Sequence, residues 1–240
     1  MNAFTEADGQ SLPTAQPFIG RTIVMSIDAA SVESSTLVQD LVFMRNLGVR
    51  PVLVHDPVDP GCGPRLTGLI NRIGGEAVAL DGTSASTIMV SADESGANVV
   101  RSVNAQLLLL LLEQGYIPVF AAQGTSISGM PAAVDAAEAA QILAAAMQAV
   151  RLLYPSASGG IRASGDGIID ELTSSEALAL ASTGTLAHGL SKQLKAAALG
   201  VRAGVDAAQL LDLTASHASL VELLTAQHLG TQIVSNIVLS

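Results

Sequence analysis

The sequence predicts an α/β fold built on a mainly parallel sheet. Three observations carry that prediction. Short apolar runs rich in β-branched residues recur along the chain, they alternate with segments of helical length and periodicity, and several of those segments close on glycine. Strands alternating with helices call for a parallel sheet joined by right-handed crossovers.

Thr22 to Ile27 forms the first strand, and Asp28-Ala29-Ala30 the turn after it. A helix follows from about Ser34 to Leu47. Leu37, Leu41, Val42, Met44 and Leu47 line its apolar side, and Gly48 closes it. Arg50 to His55 is a second, buried strand. Gly61 to Pro64 reads as a loop, and Arg65 to Ile73 as a short helix stopped by Gly74-Gly75. Ala77 to Leu80 and Thr87 to Val90 read as short strands around a turn at Asp81-Gly82. Asn104 caps a helix that ends near Gly115. Its stretch Leu107 to Leu112 is apolar all round, which marks a core or interface helix. It is far shorter than the roughly 20 residues a membrane span needs. Ile117 to Ala121 is the next strand, with its proline near the start, where it is tolerated.

The second half repeats the rhythm. Asp135 to Met147 is an alanine-rich helix, Val150 to Tyr154 a strand, and Ser156 to Gly160 a flexible loop. Thr173 and Glu176 make a capping-box pattern that opens a helix through Ala181. Leu190 to Leu199 is a helix closed by Gly200, Ala207 to Leu211 a strand or a helix end, Ser216 to Leu224 a helix, and Gln232 to Val234 a closing strand. Residues 1–19 read as a disordered polar leader without the features of a secretory signal. Residues 20–240 read as one domain with halves 20–125 and 126–240.

Composition narrows the function. The chain has 240 residues, 49% of them hydrophobic and 13% charged, so it builds a substantial core. A net charge of −10 disfavours nucleic acid and anionic membranes as partners. With four Phe, two Tyr and no Trp, a surface for stacking bases is not expected. The single Cys62 forms no internal disulfide, which fits a reducing, cytoplasmic setting. His55, His188, His217 and His228 show no metal-ligand spacing, and Asp28, Asp56 and Asp59 alone make too few oxygens for a hard cation, so no metal site is expected.

The loop after the second strand is the most telling segment. In α/β proteins ligands bind at the carboxyl ends of the strands, and a phosphate there wants open backbone N–H groups. Asp56-Pro57-Val58-Asp59-Pro60 offers instead two carboxylates that repel a phosphate and two prolines that remove donors.

Several stretches, in order, resemble the amino-acid kinase family, most closely the acetylglutamate kinases. They are Thr22 to Ile27 with Asp40 to His55, Leu69-Ile70-Asn71 with Gly74 to Leu80, Leu111 to Val119, Val134 to Ala137, and Gly230 to Val234. The resemblance implies a three-layer αβα sandwich, an N-terminal half for an acyl amino acid, and a C-terminal half for ATP with magnesium. It also implies a lysine and a glycine pair at the first strand, where this chain has Ser26, Asp28 and Ala29, and a glycine triplet where it has Asp56, Pro57 and Val58. An asparagine implied two residues before the organising aspartate is Ala133, and most of a substrate-binding, lid and helix insert is missing between His55 and Leu69. Two polar residues match: Asp135 at the organising aspartate, and Lys192 at a phosphate-contacting lysine. Ser156, Ser158, Gly159 and Gly160 lie at the implied nucleotide loop. From the residues alone, Asp135 is equally a helix cap, Lys192 a solvated lysine and the Gly-Gly pair a plain turn.

Three functions follow. The leading expectation is an acetylglutamate-kinase-like protein without catalysis, a regulatory or scaffolding subunit partnered by itself or by an active kinase homologue. The second is a divergent kinase that moves the γ-phosphate of ATP to the side-chain carboxylate of N-acetyl-L-glutamate, a step of arginine biosynthesis. The third is a self-assembling structural protein.

Overall fold

The computed structural model describes residues 16–28, 31–32, 35–94, 96–156, 158–162, 167–225 and 229–236. Within them the chain runs β1 (Thr22–Ile27), α1 (Ser35–Asn46), β2 (Arg50–His55), α2 (Cys62–Arg72), β3 (Ala77–Asp81), β4 (Ile88–Ala92), β5 (Asn98–Val103), α3 (Gln106–Glu113), β6 (Ile117–Ala121), β7 (Gln123–Ser126), β8 (Pro131–Ala133), α4 (Ala136–Ala146), β9 (Arg151–Pro155), β10 (Glu171–Thr173), α5 (Ser174–Ala181), α6 (His188–Arg202), β11 (Ala207–Leu211), α7 (Ala218–Leu224) and β12 (Thr231–Val234).

Eight strands form the central sheet in the order β10-β12-β11-β9-β1-β2-β6-β3. Every neighbouring pair is parallel except β11 with β12. Both faces of the sheet are covered, which is why its central strands read as unbroken apolar runs. Ile23, Met25 and Leu53 point into a core shared with Leu41 and Met44 of α1, Leu66 and Ile70 of α2, and Leu223 of α7. Val24, Val52 and Leu152 point the other way, toward Leu108 of α3, Leu143 of α4, Ala177 of α5 and Leu194 of α6. These two cores make the three-layer αβα sandwich that the sequence predicts.

A second sheet, in the order β5-β4-β7-β8, grows from the carboxyl edge of the first. The β6 strand passes through buried Ala122 into β7, and β3 leads through Gly82 and a 3₁₀ turn at Ser84–Ser86 into β4. The strands predicted on either side of Asp81-Gly82 are both present, but they belong to different sheets. Gly82 permits that split: its N–H donates to the Gln123 carbonyl, and a Cβ there would lie 2.1 Å from the same oxygen.

Other boundaries differ from expectation for local reasons. The loop expected at Gly61 to Pro64 is already helical from Cys62, because a proline is tolerated in a first turn. The helix expected at Leu190 to Leu199 extends from His188 to Arg202. Gln16–Phe18 form a turn of 3₁₀ helix in which Phe18 is buried beneath the Arg151 guanidinium, so the folded unit reaches into the segment read as leader. Residues 1–15, and the Ala29-Ala30 part of the first turn, lie outside the described residues. Among the described residues, no helix is long and apolar enough to cross a membrane.

Candidate functional site

The carboxyl ends of β1, β2, β6 and β9 form one edge of the central sheet, and that edge is where the sequence places its candidate residues. Ser26 lies buried at the end of β1. Asp28 turns back on the following backbone: its Oδ1 accepts from the Ser31 N–H (2.8 Å) and the Ser31 hydroxyl (2.7 Å). The loop after β2 closes in the same way. Asp56 Oδ1 accepts the Val58 N–H at 2.8 Å, and Asp59 Oδ1 accepts the Gly61 N–H at 2.9 Å. His55, buried at the end of β2, keeps Nδ1 2.9 Å from the Asp56 carbonyl. The acids of this edge therefore serve as acceptors for their own loops.

Asp135 and Lys192, separated by 57 residues, meet here. Asp135 is the N-cap of α4, accepting from the N–H groups of Ala137 (3.0 Å) and Glu138 (3.3 Å). Lys192, in the first turns of α6, brings its Nζ to 2.8 Å from Asp135 Oδ2. Burial pushes the Asp135 carboxyl up, but the Lys192 bond and the two N–H groups outweigh it and hold the carboxyl below its usual range. The same pair holds the Lys192 ammonium above its usual value, with smaller contributions from Glu138 and Asp56. Beneath them, the fully buried Tyr154 donates to the Ala137 carbonyl at 2.9 Å. Burial and the Asp135 charge keep its phenol protonated.

The loop after β9 is folded on itself. The Gly159 N–H donates to the Ser156 carbonyl, the Gly160 N–H to Ser156 Oγ (3.1 Å), and the Ile161 N–H to Thr231 Oγ1 (2.7 Å). Ser158 Oγ donates to the Gly160 carbonyl at 2.6 Å. Gly159 and Gly160 both have positive φ, and a Cβ on Gly160 would meet Thr231 Oγ1 at 2.8 Å. These glycines make the tight turn, while the N–H groups of Gly159, Gly160 and Ile161 are spent within the chain. Among the described residues, the loop makes no hydrogen bond to Asp135 or Lys192. No three His, Cys, Asp or Glu of the described residues come together to hold a metal.

A cleft of about 500 Å³ opens beside the Asp135–Lys192 pair, between β5, α4 and α6. Glu138, Gln141 and Lys195 line it together with that pair. These three are not among the residues expected from the sequence. The signal was present: Lys192 and Lys195 stand three apart on one helix, as do Asp135, Glu138 and Gln141, so each set shares a face.

The pattern that defines the amino acid kinase family matches residues 62–210. The acetylglutamate kinase of Acaryochloris marina is 29% identical over 277 aligned positions, covering 94% of this chain and 96% of that one. The acetylglutamate kinase of Synechococcus sp. strain WH7803 is 28% identical over 271 positions, covering 94% and 92%. Both alignments are longer than the 240 residues of this chain, so the relatives carry stretches that it lacks. Among solved structures, an N-acetylglutamate synthase from Neisseria gonorrhoeae superimposes with a TM-score of 0.80 at 22% identity, over 92% of this chain and 61% of the synthase. Carbamate kinase from Giardia lamblia gives 0.65 at 13% identity, over 90% and 99%. At such identities the structures establish a shared fold.

Proposed function

Since this chain belongs to the amino acid kinase family, we propose that it is an acetylglutamate-kinase-like protein that no longer transfers phosphoryl groups and works by binding, as a regulatory or scaffolding subunit. One observation carries the reading. At the ends of β1, β2 and β9, backbone N–H groups of the kind that bind an anion are bonded instead to the chain's own side chains: Ser31 to Asp28, Val58 to Asp56, Gly61 to Asp59, Gly160 to Ser156 and Ile161 to Thr231. A phosphate would have to displace acceptors already in place, two of them on β2's loop being carboxylates that repel it. The residues present at these loops therefore do not fit the phosphates of ATP.

Electrostatics points the same way. Phosphoryl transfer is mostly positioning and charge neutralisation. Removing a single charge-stabilising group costs about 10²–10³ in rate. Here Ser26 and Asp28 occupy the positions that the resemblance gives to a lysine and a glycine, and Lys192 is neutralised by Asp135.

A second reading, a divergent kinase acting on N-acetyl-L-glutamate, rests on the meeting of Asp135 and Lys192. The test is calorimetric titration of the purified protein with magnesium-ATP, with and without N-acetyl-L-glutamate, beside a turnover assay at high protein concentration. Absence of heat and of product is expected. ATP-dependent product that disappears in Lys192→Ala would overturn the proposal and establish the kinase. As the subunit's partner we propose a second copy or an active homologue. Leu109 and Leu110 of α3, 37% and 54% exposed, supply apolar surface for that contact, and light scattering alone and with the homologue tests it.

A further inference from the structure

The cleft between β5, α4 and α6 carries more than the residual ion pair. Gly200 of α6 packs on Leu152 of β9, where a Cβ would lie 2.9 Å from its side chain, and beside Gln141 of α4 at 3.5 Å. Small residues on the facing sides, Ala137 and Ala140 on α4 and Ala196 and Ala197 on α6, are buried. Beside this seam, between β5, α4 and α6, lies the open volume of about 500 Å³, within the range of small-molecule sites, roughly 300–1,000 Å³.

The chemistry of the walls is specific. Val99, Ile142 and Leu199 give an apolar lining. The exposed Lys195 makes no hydrogen bond or ion pair among the described residues. Glu138, on the facing helix, accepts one N–H from Val100 at 3.3 Å and does not pair with Lys195. Two opposite charges thus face one apolar cleft without neutralising each other. A simple anion would meet Glu138, and a simple cation would meet Lys192 and Lys195. A ligand carrying both charges satisfies both walls.

From this we infer that the cleft binds a free neutral amino acid with an apolar side chain: its carboxylate on Lys195, its ammonium on Glu138, and its side chain against Ile142 and Leu199. The inference stands apart from the loss of catalysis, because its test contains no nucleotide and reads no turnover. The full-length protein is titrated calorimetrically with L-leucine, N-acetyl-L-leucine, which lacks the ammonium, and isoamylamine, which lacks the carboxylate. The expected result is saturable heat with L-leucine alone, weakened at least tenfold in Lys195→Ala and in Glu138→Gln. Lys195 is exposed, and Gln at position 138 still accepts the Val100 N–H, so both variants retain the fold, as circular dichroism checks. Absence of heat with L-leucine overturns the inference. So does equal binding of either truncated analogue, or leucine binding that is unchanged in both variants.

Discussion

Replacing Asp135 separates its structural role from any residual chemistry. The carboxylate makes three bonds: to the N–H groups of Ala137 and Glu138 at the head of α4, and to the Lys192 ammonium. Loss of an N-cap costs about 1 kcal/mol, in a range of about 0.5–2. The Lys192 side chain is 49% exposed and that of Asp135 33%, so solvent screens the pair and its share is at most about 1 kcal/mol. Asp135→Ala should therefore lower stability by about 2 kcal/mol. With an m-value of about 3 kcal/mol/M in urea, the midpoint falls by about 0.7 M. Asp135→Asn keeps a capping acceptor and loses only the charge, so about 1 kcal/mol or less is expected. The pH dependence follows from the depressed folded-state carboxyl. Its contribution is fully present above the unfolded value, 3.8, and is lost as pH falls through the lower folded value. Urea titrations of the three proteins at pH 7 and near pH 3 supply the measurement. An Asn variant as damaged as the Ala variant would refute the capping argument. A stabilised Ala variant would show a carboxylate held at a cost to the fold, as active sites hold theirs, and would reopen the kinase reading.

Four further predictions concern the frame. Asp40 of α1 is buried and accepts from His217 Nδ1 (2.6 Å) and Ser219 Oγ (2.7 Å) at the head of α7, so Asp40→Ala should cost about 3 kcal/mol in urea unfolding. Burial raises the Asp40 carboxyl despite those bonds, so its stabilising share is complete below the unfolded value, 3.8, and is lost as pH rises through the higher folded value. The stability difference from Asp40→Asn should shrink accordingly with rising pH. Gly82→Ala drives a Cβ to 2.1 Å from the Gln123 carbonyl and 2.7 Å from Ile88, and should cost about 3 kcal/mol or prevent folding. Gly189→Ala, in α6 with nothing within 4 Å, should instead raise stability by about 0.5 kcal/mol in the same denaturation assay. Thr173→Ala removes one half of the capping box with Glu176 and should lower the urea-derived stability by about 1 kcal/mol.

The sheet was legible wherever burial on both faces leaves one pattern. Ile23 to Met25, Val52 to Val54 and Val119-Phe120 have to be apolar throughout, and the sequence shows them so. Caps that act within four residues were legible too: Thr173 with Glu176, and Asp135 ahead of α4. Structure that exists only through distant pairing was not. The β7 and β8 strands are short segments, Gln-Gly-Thr-Ser and Pro-Ala-Ala, with no strand signature of their own, and form because β4 offers β7 an edge. The contact of Asp40 with His217 spans 177 residues, and nothing local announces it. The candidate site divides along the same line. Its two polar residues were readable singly, but their ion pair, and the placing of Lys195 and Glu138 across the cleft beside it, depend on how α4 packs on α6.

The carboxyl edge satisfies five backbone donors with its own side chains. A glycine-rich phosphate loop leaves N–H groups unpaired until the anion arrives, and each such group carries a desolvation cost wherever water is excluded. Here Asp28, Asp56, Asp59, Ser156 and Thr231 each place a side-chain oxygen on one of these donors. Each bond contributes about 0.5–1.5 kcal/mol, and together they remove any need of the edge for a ligand to complete its hydrogen bonding. Five internal acceptors thus occupy backbone donors at this edge without any ligand. The outer helical surface of the sandwich carries Lys195 and Glu138 in the cleft between β5, α4 and α6.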